Sequence, residues 1–153
     1  MKTLRTFSLA MSLLAGLMAL PATPAQAAEA DVRALQECIR QSTSGRDRIT
    51  SARWLVSALG SAPQLRDVAR IDPDVKRDLD REMAQLFTRL MTVDCLNEAK
   101  PVWSSRDPAE MQAAGGSLGE IAMQELFTNP ETASAVSAYA QFLNEEDFAA
   151  LRN

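Results

Sequence analysis

Residues 71–95 read IDPDVKRDLDREMAQLFTRLMTVDC, and their spacing decides the fold class. Asp72 is placed to cap a helix N-terminus, and Pro73 follows at the first helical position, where its missing N–H costs nothing. Val75, Leu79, Met83, Leu86 and Leu90 are 4, 4, 3 and 4 residues apart, which puts all five on one face of an α-helix. Phe87 and Met91 widen that stripe. Asp78 and Arg81 lie three apart on the outer side and are placed to pair. The four aspartates of residues 72–80 invite a calcium reading, but the EF-hand register fails. Arg77 stands where the loop needs glycine, and Met83 where it needs a bidentate glutamate. The stretch is a capped, solvated helix start whose far end delivers Cys95.

Working outward, the same periodicity recurs. Val32, Leu35, Cys38 and Ile39 predict a helix over about 30–41. Ile49, Ala52, Leu55, Val56 and Leu59 predict a second from Arg46 to Gly60, with those residues as its inner face. A short helical turn holds Leu65 and Val68. Residues 100–108, KPVWSSRDP, read as a loop. Asp107-Pro108 repeats the cap-then-proline signal and opens a helix over 108–114, which Gly115-Gly116 breaks or kinks. Further helices are expected over 117–128, over 130–143 after the Asn129-Pro130 cap, and beyond Asn144. No segment alternates with period two. The expected fold is all-α: a compact bundle of five to seven helices.

The N-terminus reads as a secretory signal peptide over residues 1–27. Lys2 and Arg5 are its basic start, the apolar run of 14 residues over 7–20 its core, and Ala25-Gln26-Ala27 its cleavage motif. That run is shorter than the roughly 20 residues a membrane span needs. Cleavage after Ala27 leaves residues 28–153 as a single α-helical domain in the periplasm, with no membrane insertion. The mature chain has 14 basic and 20 acidic residues, a net charge of −6, which disfavours nucleic acid and anionic lipid as partners.

Cys38 and Cys95 are the two cysteines. In an oxidising compartment an even count points to a disulfide. Two thiols without any histidine are too few ligands for structural zinc, so no metal and no cofactor is expected. The lack of histidine also removes the usual base of a hydrolase triad, and no catalytic residue is assigned.

The candidate binding residues cluster at the first helix junction. Ser42, Thr43 and Ser44 precede Gly45 and the charged run Arg46, Asp47 and Arg48. Ser44 with Asp47 resembles a capping box in which Asp replaces Glu. The same hydroxyls, flanked by Arg46 and Arg48, also have the composition of an anion site at a helix N-terminus. Thr50, Arg53, Trp54 and Ser57 fall opposite the Ile49–Val56 face, where Arg53 and Trp54 have the chemistry of a partner-binding hot spot. The other reading of that helix is a central one, packed on both sides. Glu125 falls between Leu118 and Ile121 on an apolar face and calls for an arginine partner, Arg48 or Arg53.

Four stretches resemble a family of small exported bacterial proteins of unknown function: CIRQSTSGRDR (38–48), ARW (52–54), LFTRLMTVDC (86–95) and LGEIAMQELFTNP (118–130). The chain departs from that pattern after Trp54, where residues 55–63, LVSALGSAP, are smaller than the family's. The resemblance implies export and a helical domain, and brings no activity, cofactor or site.

The functional expectation is a non-enzymatic periplasmic binding protein with a protein partner, in its specific form an immunity-type or inhibitor protein. The alternatives are a hydrolase or lyase, in which Glu125 or Asp47 meets Arg48 or Arg53 in a pocket, and a small-ligand carrier with a cavity inside the bundle.

Overall fold

The computed structural model describes residues 23–152. It contains six α-helices: α1 (Pro24–Ser42), α2 (Gly45–Gly60), α3 (Pro73–Arg89), α4 (Leu96–Ser105), α5 (Pro108–Phe127) and α6 (Pro130–Ser137). No strand occurs among the described residues. The fold is an all-α bundle with one disulfide, between Cys38 and Cys95.

The helices form a ring. α1 lies against α4 and α5, α5 against α2, and α2 against α3; the end of α3 turns directly into α4. Inside sit Val32, Leu35 and Ile39 of α1, Met83, Leu86, Leu90 and Met91 from the α3 stripe, Ala99 and Val102 of α4, and Ala114, Leu118 and Ile121 of α5. The stripe over 71–95 therefore packs as its spacing requires, except that Val75 at its start is 48% exposed. Asp72 caps α3 by accepting from the backbone N–H groups of Asp74 and Val75. Asp78 and Arg81 pair on the outer side at 2.8 Å.

Lys2, Arg5 and the apolar run over 7–20, on which the signal-peptide expectation rests, lie outside the described residues. α1 starts earlier than its apolar spacing indicates, because Thr23 and Gln26 form a reciprocal capping box ahead of the stripe. Ala25-Gln26-Ala27 is its first turn. The buried residues of α1 all follow Ala27.

Four expectations are corrected. Residues 100–108 are not a loop: α4 runs through Pro101 and ends at Arg106, which is left-handed at φ 57°. An internal proline costs about 3 kcal/mol. Burying Val102 and Ala99 in the core favours the helix in spite of it.

Gly115-Gly116 does not break α5, which is continuous for 20 residues. Two interior glycines cost about 2 kcal/mol. Burial of Leu118 and Ile121 contributes about 3–6 kcal/mol and outweighs them. The helix expected over 130–143 is α-helical only to Ser137; a 3-10 turn follows over Ala138–Phe142.

The predicted inner face of α2 is the largest error. Ile49, Val56 and Leu59 are about half exposed; of the predicted face only Ala52 is fully buried, beside Asp47, Ser51 and Ser57 from outside it. Small residues let α2 approach α5 closely, where Ser117 and Ala122 are also buried. Helix contact here selects for small volume rather than for hydropathy.

A Cβ built on Gly116 meets nothing within 4 Å. Gly116→Ala is therefore expected to raise the unfolding free energy by about 0.5–1 kcal/mol. Urea denaturation checks this, and a loss of stability would mean that α5 needs a kink there.

Candidate functional site

The junction between α1 and α2 is built from the residues singled out in the sequence, but most of them face inward. The Cys38–Cys95 disulfide has a Cα–Cα distance of 5.8 Å and spans 57 residues of sequence. A disulfide has no S–H, so the Ser42 hydroxyl is the only donor in its contacts with the two sulfurs at 3.8 and 3.7 Å. The buried Thr43 hydroxyl donates to the Ile39 carbonyl at 2.5 Å, closing the last turn of α1. Ser44 is the N-cap of α2: its Oγ accepts from the Asp47 N–H, while its own N–H donates to Asp47 Oδ2 at 2.8 Å. This is the capping box, with aspartate in the glutamate position.

Arg89 completes the junction. Its Nη2 donates to Asp47 Oδ2 at 2.8 Å, and its Nε lies 3.0 Å from Asp94 Oδ2. Arg89 and Asp94 are five residues apart, and in an α-helix would diverge by about 140°. They meet because the end of α3 opens into a π-turn over Leu90–Asp94, where the Cys95 N–H donates to the Leu90 carbonyl at 2.8 Å. The same turn brings Cys95 onto the buried face beside Leu90. Burial pushes the Asp47 carboxyl up. The Ser44 hydroxyl, the Arg89 guanidinium and the Ser44 N–H outweigh burial and hold it below its usual value.

The hydroxyls of Ser42, Thr43 and Ser44 are all engaged within the protein, as the capping reading of this stretch requires. Trp54 is partly buried against the core, in keeping with the reading of α2 as a helix packed on both sides, and its Nε1–H donates to Asp80 at 3.1 Å. Lys76 holds the same carboxylate, at 2.9 and 2.7 Å. The Lys76 hydrogen bond is the main reason the Asp80 carboxyl lies below its usual value; burial opposes it, and Trp54 adds to the lowering. Glu125 is partly buried and has one of the two arginine partners expected for it: its Oε2 lies 3.5 Å from Arg48 Nε, which ties the start of α2 to the end of α5.

What remains open to solvent is a groove of ≈790 Å³ between α2 and α3. Arg46, Asp47, Ile49, Thr50 and Arg53 line one wall; Glu82, Gln85, Leu86 and Arg89 line the other. Ile49 and Arg53, expected on opposite faces, share this wall, as residues four apart on a helix do. Neither Arg46 nor Arg53 is in an ion pair among the described residues. Sequence reasoning missed Arg89, Glu82 and Gln85. Arg89 stands in a helix's last turn, where basic residues are common, and its two aspartates become neighbours only through the π-turn and the α2–α3 packing. A second, more apolar groove lies between α3 and α4, where Trp103 is 70% exposed. Among the described residues no helix is long and apolar enough to cross a membrane.

No protein-family model matches the chain, and neither a curated protein nor a solved structure matches it.

Asp47→Ala is expected to cost about 1–3 kcal/mol, because it strands the Ser44 N–H and loosens Arg89. The folded Asp47 carboxyl lies below its usual 3.8, so its contribution is present above that pH and lost as pH falls through the folded value. Wild-type stability should therefore fall more steeply than that of Asp47→Asn below about pH 4, as read by urea midpoints across pH. In contrast, the buried Ser51 hydroxyl has no hydrogen-bond partner among the described residues. Ser51→Ala is expected to leave stability unchanged or raise it by up to about 1 kcal/mol, and a clear loss would mean that an internal water holds this hydroxyl.

Proposed function

We propose that the chain is a non-enzymatic binding protein of the periplasm, and that it takes a protein partner in the groove between α2 and α3. The observation that carries this reading is the row Arg46, Ile49 and Arg53 along the outer wall of α2. Both arginines lack an ion-pair partner among the described residues, and Ile49 is 52% exposed. An apolar anchor flanked by arginines is the composition of an interface hot spot. It favours an acidic partner surface with an apolar side chain at its centre.

The groove's other wall is held in place by the disulfide, the π-turn and the Arg89 bridge, so little order is lost when a partner docks. Export, and the resemblance to small exported bacterial proteins, belong to the same proposal. They agree with a chain whose two cysteines are joined. An immunity-type or inhibitor protein is the specific form of this role, since blocking another protein needs a rigid face and no chemistry.

The carboxylate–arginine hydrolase has less support. A carboxyl held ionised, as Asp47 is, has no proton to give at neutral pH. Glu125 and Arg48 pair away from the groove, on the side of α2 that meets α5.

The test is crosslinking capture in the periplasm of the source cell with wild type and with Ile49→Glu/Arg53→Glu, the two proteins matched by thermal unfolding. Wild type is expected to recover a stoichiometric protein that the variant loses by about tenfold or more. Equal recovery by both would remove the groove as the binding face.

A further inference from the structure

The chain carries a segment with the chemistry that its own groove selects. After α6 it runs through Leu143-Asn144-Glu145-Glu146-Asp147-Phe148, three acidic residues bracketed by two large apolar ones. The bracket is not consumed in the core: Leu143 is 51% exposed and Phe148 44%, and nearby Phe142 and Leu151 exceed 80%. The groove offers the complement on its α2 wall, Arg46 and Arg53 on either side of exposed Ile49; the opposite wall carries Glu82 and an Arg89 already bound to Asp47 and Asp94.

We propose that the C-terminal segment over 143–148 of a second copy occupies the α2/α3 groove, so that the protein forms a homodimer by reciprocal exchange of these segments. This rests on the reading of the groove as a protein-binding face, and names one partner for it. Charge complementarity is the first argument: an acidic run meets Arg46 and Arg53, the two groove arginines in no ion pair among the described residues, on a chain that is acidic elsewhere.

Topology is the second argument. The Arg48–Glu125 contact brings the start of α2 beside the end of α5, and α6 begins three residues after α5 ends. The extension that carries the donor segment therefore leaves the bundle at the end where the acceptor groove's α2 wall begins. Two copies meeting at that end satisfy both grooves at once and close as a two-fold pair, where a donor at the opposite end would propagate a filament. Exposed Leu143 and Phe148 leave water on docking, which supplies the apolar part of the contact.

The test is sedimentation velocity of the purified, oxidised full protein over a concentration series at low and high salt. Wild type is expected to dimerise at micromolar to millimolar concentration, with dissociation strengthened by salt. Arg46→Glu/Arg53→Glu and Glu146→Lys/Asp147→Lys should each weaken self-association by about tenfold or more, since each sets like charges against each other. Mixing the two variants should restore a dimer containing one chain of each, because both groove–segment pairs are then opposite in charge.

Wild type that stays monomeric throughout overturns the proposal, as does a mixture no more dimeric than its components. Dimerisation that persists unchanged in either variant also overturns it. The outcome is separable from that of the groove reading. If a different protein is the partner, crosslinking capture is lost in the groove variant and kept in the segment variant, and neither variant alters the mass of the isolated protein.

Discussion

Cys38 and Cys95 tie the end of α1 to the end of α3, and nearly everything at the α1–α2 junction depends on that tie. The link closes a loop of 57 residues that contains all of α2 and α3. In the chain-entropy account such a loop is worth about 4 kcal/mol. Its structural effect is more specific. Cys95 can face Cys38 only because the last turn of α3 is a π-turn, and that turn also swings Asp94 back to Arg89. Arg89 then reaches across to Asp47, and Asp47 caps α2 together with Ser44. A covalent bond, one irregular turn and one arginine thus fix where α2 starts and how it lies on α3.

The consequence for α2 is unusual. It is held by small buried residues and by polar contacts at its start and at Trp54, so its larger apolar residues are left outside. Trp54 shows the same logic: its ring fills a gap beside the core while Asp80 satisfies its N–H. An exposed isoleucine between two arginines is what such packing leaves behind. The groove is thus a product of how α2 is anchored rather than an addition to the fold, and its shape is as rigid as the junction that sets it.

Beyond Phe127 the chain changes character. The ring of α1 to α5 is closed without it, and Val136, Tyr139, Phe142 and Leu143 are all at least half exposed. Apolar side chains with no partner inside one molecule are the usual mark of a surface that meets another. That contrast, a closed five-helix ring followed by an apolar and acidic extension, is what the proposed self-association rests on.

Much of the architecture was determined by local pattern. The stripe from Leu79 to Leu90, the Asp72, Asp107 and Asn129 caps and the Cys38–Cys95 pairing are all legible in the sequence, since each rests on spacing along one helix or on a count of cysteines. So is the Ser44–Asp47 capping box. The single-helix wheel failed for α2, because which face turns inward depends on the neighbours, and close contact with α5 favoured serine and alanine over isoleucine and valine. The loop assigned at Pro101 and the break assigned at Gly115-Gly116 failed for a related reason: burial of Val102, Leu118 and Ile121 exceeds the local cost of proline or glycine. The groove was half visible, as Arg46, Asp47 and Arg53. Arg89 was not, because its partners lie 42 residues before it and five after it, and only tertiary packing and the π-turn bring all three together.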